Sequence, residues 1–283
     1  MCNSISNKDV YLKRMRVGMY DKCWWVDKLY PEVDTVIDFG CADGSLWEVI
    51  KALCPQITKY YGIENNKEFY DILDRKNILY CSSFSTLPDD IDWSRTIMVM
   101  NSVVHEICYY QSCTHFMMLL EKIRDKGVRH IAIRDMCYNI EEYTCLDDDF
   151  YNKIMDSKYS HMFKQYLNSC DDLAGCLASQ VEFFLKYTYQ ENWNRECEEQ
   201  YLWNWDFFTH SAIGNTMRFE VDQPFKIVPQ IRQIEKDFGI KFPEFLNTHR
   251  KMFLTKENCL FISAVKTVAQ RLKIIQFITK PNH

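Results

Sequence analysis

Short apolar runs and segments of helical periodicity alternate along the first half of the chain. The runs lie at 36–39, 60–63, 77–81, 96–100 and 129–134. The run Thr96–Met100 is apolar throughout after its first residue, which is typical of a buried central parallel strand. Segments such as Leu46–Leu53 and Lys67–Arg75 separate the runs and favour helix. The pattern predicts an α/β fold with a mostly parallel sheet.

A turn of small residues follows the first apolar run. Val36-Ile37-Asp38-Phe39 leads directly into Gly40-Cys41-Ala42-Asp43-Gly44-Ser45, where a helix is predicted to begin. Glu64 ends the second run, 20 residues beyond Gly44. A strand, a turn without bulky side chains and a helix N-terminus suit an adenosine-bearing cofactor, and the acid then accepts hydrogen bonds from its ribose hydroxyls. We predict such a cofactor at this turn.

The spacing within the turn separates two cofactor classes. The nicotinamide fingerprint is G-x-G-x-x-G, and Ser45 stands at its third glycine. Asp38, Gly40 and Gly44 instead match the pattern acid-x-Gly-x-Gly-x-Gly, with Ala42 at the middle glycine. In this motif the chain resembles the class I S-adenosylmethionine-dependent methyltransferases.

The resemblance covers about residues 30–136, with a weaker echo near 235–257. It implies a Rossmann-like doubly wound sheet, mostly parallel, with an antiparallel final strand. It also implies S-adenosyl-L-methionine as the cofactor and S-adenosyl-L-homocysteine as the product. Arg16 or Lys22 would contact the methionine carboxylate, and Ser83 stands near where many members carry an acid that holds adenine. The implied cofactor residues are Asp38, Gly40, Cys41, Ala42, Gly44, Glu64, Asn65, Ser82, Ser83, Asn101 and Arg16.

The second half of the chain predicts a helical insertion. No proline occurs between Pro88 and Pro224, and aromatic residues are dense from Phe183 to Phe208. We predict that 1–137 and 226–283 form the core and that 138–225 forms a helical lid or substrate-recognition insertion; a helical buttress is the alternative. The core would include N-terminal helices over 8–30, a strand hairpin at 240–246 and 251–255, and a C-terminal amphipathic helix near 261–275.

Candidate catalytic residues follow the fourth apolar run. Asn101-Ser102-Val103-Val104-His105-Glu106 lacks the Pro-Pro-Tyr type of motif that holds a purine amine, and it lacks the Pro-Cys of cytosine C5 enzymes. His105 has the side chain whose ordinary pKa suits a general base near neutrality. Glu106 would orient it or act as the base itself. His210 and His249 are further candidates.

Composition narrows the choice of acceptor and of compartment. The chain has 283 residues and a formal net charge of −5, which does not favour a broad grip on nucleic acid. The 13 cysteines include no C-x-x-C pair, so we expect reduced thiols and no metal site. With no long apolar run and no apolar N-terminal signal, we expect a cytoplasmic protein and no membrane partner. Nothing predicts the oligomeric state.

These patterns predict a methyltransferase acting on an oxygen, nitrogen or carbon nucleophile of a small molecule. An RNA acceptor stays open, because basic residues cluster near both ends and tryptophan and tyrosine can stack on bases. A non-catalytic cofactor sensor or partner scaffold is the alternative from another class. A nicotinamide oxidoreductase is disfavoured by the turn spacing.

Overall fold

A single seven-stranded sheet organises the molecule. The computed structural model describes residue 5 and residues 7–137, 148–169, 177–199, 217–244 and 246–256. The strands are β1 (Thr35–Phe39), β2 (Lys59–Ile63), β3 (Leu79–Cys81), β4 (Thr96–Asn101), β5 (His130–Met136), β6 (Met217–Phe225) and β7 (His249–Lys256). Their order is β3-β2-β1-β4-β5-β7-β6. Strands β1 to β5 pair in parallel and β7 runs antiparallel to both its neighbours, which confirms the predicted fold class.

Helices precede β1, connect parallel strands, form the described region between β5 and β6, and link β6 to β7. They are α1 (Lys8–Arg16), α2 (Met19–Lys22), α3 (Ser45–Leu53), α4 (Tyr70–Arg75), α5 (Val104–Tyr110), α6 (Cys113–Lys126), α7 (Asp148–Met155), α8 (Ser160–Ser169), α9 (Leu177–Lys186), α10 (Trp193–Glu198) and α11 (Val228–Phe238). Short 3-10 turns lie at Val26–Lys28, Lys67–Phe69, Phe84–Thr86, Trp93–Arg95 and Gln190–Asn192. Within the described ranges, no helix is both long and apolar enough to cross a membrane.

The sheet is covered on both faces. Successive strand residues point to opposite sides, so Val36 and Ile37 enter two different apolar clusters. Met98 and Val99 divide between the same two clusters in β4, whose six residues are all buried. This two-sided burial explains why β4 is a continuous apolar run rather than an alternating one.

The strand order indicates where a ligand would bind, at the carboxyl ends of the parallel strands. Strand β1 lies between β2 and β4, and the chain turns in opposite directions along the sheet on the two sides of β1. In open α/β sheets, ligands bind at such a reversal, beyond the carboxyl ends of the strands. The residues that follow β1, β2, β4 and β5 therefore meet at this edge.

A third apolar cluster lies outside the sheet. It joins buried residues of α7 to α10 with residues of α11 and the segment after it, including Phe163, Phe183, Phe184 and Phe238. Most of the aromatic side chains described over 148–169 and 177–199 belong to this cluster.

The predicted final hairpin is wrong in its first strand. At the edge of the sheet β7 pairs with Met217–Phe225, which ends just after Pro224, and the described residues 240–244 and 246 lie in no strand. Ile240, Phe242 and Leu246 alternate like a half-buried strand because they enter the third cluster. Helix α11, with proline in its first turn and Gly239 at its end, lies between the two strands and was not predicted.

Strand β6 falls inside the range 138–225 and belongs to the sheet. The division of the chain into a core and a lid or substrate-recognition insertion stays a prediction. The predicted C-terminal helix and residues 200–216, which include His210, lie outside the described residues.

Candidate active site

The turn after β1 has a backbone that favours small residues. Gly40 has φ +76° and Ala42 has φ +47°, both in the left-handed region. A Cβ at Gly40 would lie 2.8 Å from Cγ2 of Val103, so glycine is required for space as well as for conformation. The N–H groups of Gly40 and Cys41 both donate to the carbonyl of Ile63. The turn is thereby fixed against the end of β2.

Ion pairs brace the second half of the turn. The Asp43 carboxylate accepts from the backbone N–H and the hydroxyl of Ser45, at 3.1 and 2.6 Å, at the start of α3. It also pairs with Arg16 at 2.7 Å and with Lys76 at 3.4 Å. The predicted cofactor residue Arg16 thus reaches the turn, but its guanidinium is bonded to Asp43 and its side chain is 54% exposed.

Glu64 reaches the turn from the end of β2. Its side chain is buried; Oε2 accepts from the N–H of Ala42 at 2.9 Å and Oε1 from the N–H of Asn66 at 2.7 Å. Burial raises the pKa of Glu64, while these backbone donors oppose the rise. A carboxylate has about four acceptor positions, so each oxygen keeps a lone pair for a ribose hydroxyl. The adjacent Asn65 is exposed.

The serines after β3 lie further out. Ser82 is exposed, and the hydroxyl of Ser83 is hydrogen-bonded to Ser85 at 3.0 Å and to Thr86 at 3.2 Å. Ser83 thus takes part in its own short turn, and its hydroxyl offers an uncharged contact where an acid would stand in many similar proteins.

Asp38 is buried beneath the turn. Its Oδ2 accepts from the Tyr60 hydroxyl at 2.5 Å, and burial raises its pKa to about 6 against the effect of Tyr60 and of nearby Lys22. Lys22 is buried too, and its Nζ donates to the carbonyl of Met15 at 3.3 Å. Burial, with repulsion from Arg134, lowers the pKa of Lys22 to about 8.

Asn101 ends β4 with an unsatisfied amide. Its side chain is buried, and among the described residues neither its Oδ1 nor its Nδ2 has a hydrogen-bond partner. Such a group costs free energy unless a ligand or water meets it. The next residue, Ser102, has φ +54°, so the chain bends sharply where β4 leaves the sheet. A buried amide without a partner at the carboxyl end of a central strand is what a ligand site requires.

His105 is oriented by an acid that the sequence analysis did not single out. Its Nδ1 lies 2.6 Å from Oδ1 of Asp135, and the other oxygen of Asp135 accepts from the N–H of Val104 at 2.5 Å. Burial opposes a charge on His105, but the Asp135 carboxylate outweighs burial and raises the pKa of His105 to about 9. His105 is therefore an imidazolium at neutral pH.

Glu106 belongs to a second ionic group, which links α5 to the insertion. Arg195 donates to Oε1 of Glu106 at 2.7 Å and to Oε1 of Glu199 at 2.9 Å, and the Tyr110 hydroxyl donates to Glu199 at 2.6 Å. Burial, then the Glu199 carboxylate, raises the pKa of Glu106 to about 7 against the effect of Arg195. A ring nitrogen of His105 and one carboxylate oxygen each of Glu106 and Glu199 lie within 4.8 Å of one another. Arg195 supplies positive charge beside both carboxylates.

A cavity of about 440 Å³ opens beside these residues. It lies beyond the carboxyl ends of β4 and β5, between α1 and α2 on one side and the α9–α10 region with α11 on the other. Its polar wall includes Lys22, Ser102, His105, Glu106 and Arg195. Its aromatic wall is formed by Tyr11, Tyr187 and Tyr189. The cavity is therefore bounded on one side by the insertion.

His249 lies at the margin of this cavity. It is buried, and its Nδ1 is 2.8 Å from the Thr248 hydroxyl. Burial, with repulsion from Arg134, lowers its pKa to about 3, so it is neutral at neutral pH.

The structure brings most of the predicted residues to one edge of the sheet and adds three. Asp135 lies at the carboxyl end of β5, directly after the predicted run 129–134, and an acid at the carboxyl end of a parallel strand is a signal that could have been used. Arg195 and Glu199 stand about 90 residues from Glu106 along the chain, and no local pattern marks them.

Comparisons with known proteins find the fold but no related sequence. No family model and no curated protein sequence matches the chain. The plantazolicin methyltransferase BamL, solved with S-adenosylhomocysteine, aligns with a TM-score of 0.50 and 9% identity over 89% of this chain and 90% of that one.

Two other solved structures align at lower TM-scores. The methyltransferase domain of bacterial CtHen1 gives a TM-score of 0.45 and 12% identity over 87% of this chain and 100% of that one. A methyltransferase from Archaeoglobus fulgidus gives a TM-score of 0.43 and 14% identity over 88% of this chain and 95% of that one. The sheet order and the BamL alignment agree, and the chain has the fold of the class I S-adenosylmethionine-dependent methyltransferases.

Proposed function

We propose that this protein transfers a methyl group from S-adenosyl-L-methionine to an oxygen, nitrogen or carbon nucleophile of a small molecule. The observation that carries the proposal is the meeting of Glu64 with the Gly40–Gly44 turn, where the carboxylate lies 2.9 Å from the N–H of Ala42. An acid held against a tight strand-to-helix turn has the position of a ribose ligand.

The chain's own residues fit the parts of the cofactor. Glu64 would accept from the ribose hydroxyls with the lone pairs that the backbone leaves unused, and the unsatisfied amide of Asn101 would gain a partner. Lys22, rather than Arg16, is suited to the methionine carboxylate, because Lys22 lines the cavity while Arg16 is bonded to Asp43. When bound, the cofactor supplies a methyl group on a sulfonium, an activated electrophile that needs an aligned nucleophile.

Glu106 fits the role of general base better than His105 does. A base must be unprotonated at working pH, and a carboxyl with a pKa of about 7 is divided between its two forms near neutrality. His105, with a pKa of about 9, holds its proton there and places a positive charge beside Glu106. We therefore assign proton removal to Glu106 and electrostatic support to His105.

A small acceptor is favoured by the size and lining of the cavity. The cavity is about 440 Å³ and is walled by three tyrosines together with apolar side chains such as Met15, Leu185 and Ile227. Volumes of 300–1,000 Å³ with a few placed polar groups are usual for small-molecule sites. The net charge of −5 adds no general attraction for a nucleic acid.

The test is a calorimetric titration of the purified chain with S-adenosylhomocysteine, with NAD as a parallel titration. Saturable binding of the first alone, with a dissociation constant of roughly micromolar order, is the expected result. Binding of NAD alone would replace the proposal with a nicotinamide enzyme. If neither compound binds, the turn has a structural role and the proposal is wrong.

A further inference from the structure

Glu106 presents an uncommitted oxygen to the cavity. Oε1 accepts from Arg195 at 2.7 Å, and Oε2 has no hydrogen-bond partner in the part of the chain that the structure describes. The side chain is 27% exposed, and it lines the cavity wall together with Ser102 and His105. The free oxygen is thus an acceptor for a group that enters the cavity.

The charges around Glu106 leave an excess of one negative charge. Asp135 is paired with His105, and Arg195 is shared between Glu106 and Glu199. Three carboxylates therefore face two cations among these described residues. The uncharged hydroxyl of Tyr110 bonds Glu199, and the more distant Glu64 and the cavity-lining Glu196 add negative charge rather than remove it. Of the other cations that line the cavity, Arg14 pairs with Glu191, Arg134 pairs with Asp21, and Lys22 is assigned above to the methionine carboxylate. A cationic guest would therefore balance the charge beside Glu106.

Tyrosine rings line the same cavity as Glu106. Arg195 already lies over the ring of Tyr11, with Cζ 5.7 Å from the centroid, and Arg14 lies 4.8 Å from the centroid of Tyr189. Both rings therefore face cations in this structure, as aromatic faces do in sites for organic cations. Tyr187 extends the same wall. A carboxylate with a free oxygen and several aromatic rings in one cavity form a site suited to an organic ammonium.

We propose that the acceptor is a small organic amine, which enters as its ammonium and is held by Glu106 against the tyrosine wall. The inference rests on the proposed function and assigns the nucleophile to nitrogen. One N–H proton of the ammonium passes to Oε2 of Glu106, which becomes a neutral carboxylic acid. The nitrogen lone pair thereby freed forms the new N–C bond to the methyl group. The electron pair of the broken S–C bond remains on sulfur as a thioether, and Glu106 then releases its proton to water.

The experiment compares three guests of one shape. Phenethylamine, 2-phenylethanol and phenylacetate, which share a phenylethyl-like frame and differ in head group, are titrated calorimetrically into the protein saturated with S-adenosylhomocysteine. We expect the amine to bind at least about tenfold more tightly than the alcohol and the acid, as a charge-assisted contact does. Equal binding of the three, tighter binding of the alcohol or acid, or binding of none overturns the inference.

Charge variants assign the preference to Glu106. Glu106→Gln should remove the preference for the amine while S-adenosylhomocysteine still binds, and Glu48→Gln, an exposed site on α3, should keep it. If Glu106→Gln weakens binding of S-adenosylmethionine but not of S-adenosylhomocysteine and leaves the amine preference intact, the carboxylate serves the sulfonium and the inference is wrong. The wild-type comparison stands even if the variant does not fold. If the wild type does not bind S-adenosylhomocysteine, the proposed function itself is wrong.

Discussion

At the scale of single residues, Glu64 carries the cofactor assignment. Its two oxygens each accept one backbone N–H, at 2.9 and 2.7 Å, so the carboxylate is already oriented before any ligand arrives. Preorganisation of this kind lowers the entropic cost of binding. The residue therefore acts through position as much as through charge.

Replacing Glu64 tests that role directly. Glu64→Gln keeps the shape but replaces one acceptor oxygen with a donor amide, so one ribose hydroxyl or one backbone N–H loses its acceptor. We expect the affinity for S-adenosylhomocysteine to fall by at least about 1.5 kcal/mol, or roughly tenfold, in a calorimetric titration. Glu48→Gln, at an exposed position of α3, should bind like the wild type. Unchanged affinity in Glu64→Gln would contradict the placement of the site.

Asp135 is predicted to set the charge of His105. Asp135→Asn removes the carboxylate that outweighs burial, so the pKa of His105 should fall from about 9 to below its ordinary value of about 6.5. Imidazole chemical shifts followed against pH measure this. Asp125→Asn, at an exposed site, is the control and should leave the titration of His105 in place. An unchanged pKa in Asp135→Asn would mean that another group holds the proton.

The His105–Asp135 pair also makes the free energy of unfolding depend on pH, in a direction that the raised pKa of His105 defines. The pKa of His105 is raised on folding, so its contribution is complete below about pH 6.5 and is lost as pH rises through 9. A shift of this size corresponds to roughly 3 kcal/mol in the free energy of unfolding. Asp135→Asn should therefore flatten the fall in stability between these pH values.

Sequence patterns predicted residues that are close along the chain. Gly40, Gly44 and Glu64 belong to adjacent strand-turn units, so their spacing was enough to predict that they meet. Arg195 and Glu199 come from the insertion, and their contact with Glu106 depends on how the insertion packs on the core. Periodicity and spacing carry no information about that packing, so these two residues could not be predicted.

At the scale of elements, apolar runs identified the parallel strands but not the antiparallel edge. Strands β1 to β5 are buried on both faces or follow recognisable turns, and each was predicted. Strand β6 is an edge strand with several polar residues, a proline near its end and a register shift between Phe219 and Val221, so it has no clear apolar signal. The segment 240–246 alternates for a different reason, because its apolar residues are buried in the third cluster.

The β1–α3 turn should be intolerant of a single methyl group. Gly40→Ala combines a left-handed backbone, costing about 1–2 kcal/mol, with an overpacked contact against Val103, costing a further 1–3 kcal/mol or so. Gly239→Ala is the matched control, because it has φ +64° but nothing within 4 Å of the new Cβ. Urea unfolding should show Gly40→Ala to be the less stable variant. Equal losses would mean that Val103 moves aside.

At the scale of the whole molecule, two buried histidines make folding sensitive to acid. Burial, assisted by neighbouring arginines, lowers the pKa of His130 to about 4 and of His249 to about 3. Both are neutral when folded, while the unfolded chain binds protons below about pH 6.5. Their contribution to stability is therefore lost as pH falls below 6.5, by about 2 kcal/mol each at pH 5.

A histidine variant isolates this effect. In His249→Gln, the fall in melting temperature between pH 7.5 and pH 5 should be smaller than in the wild type, because one of the two buried groups no longer gains a proton on unfolding. His115→Gln, exposed on α6, should retain the full fall. If the melting temperature of His249→Gln falls between pH 7.5 and pH 5 as much as that of the wild type, the acid sensitivity has another source.

The third apolar cluster has a consequence for how this protein can diversify. The helices that line one side of the cavity pack with α11 in the third cluster. This cluster is separate from the two clusters that cover the sheet. Substitutions that reshape the cavity wall on α9, α10 and α11 therefore affect the packing of the third cluster and not the packing around the turn at Gly40. Under the proposed function, selection can change the acceptor molecule while the residues around the Gly40 turn are preserved, so related proteins can take different acceptors and keep the same methyl donor.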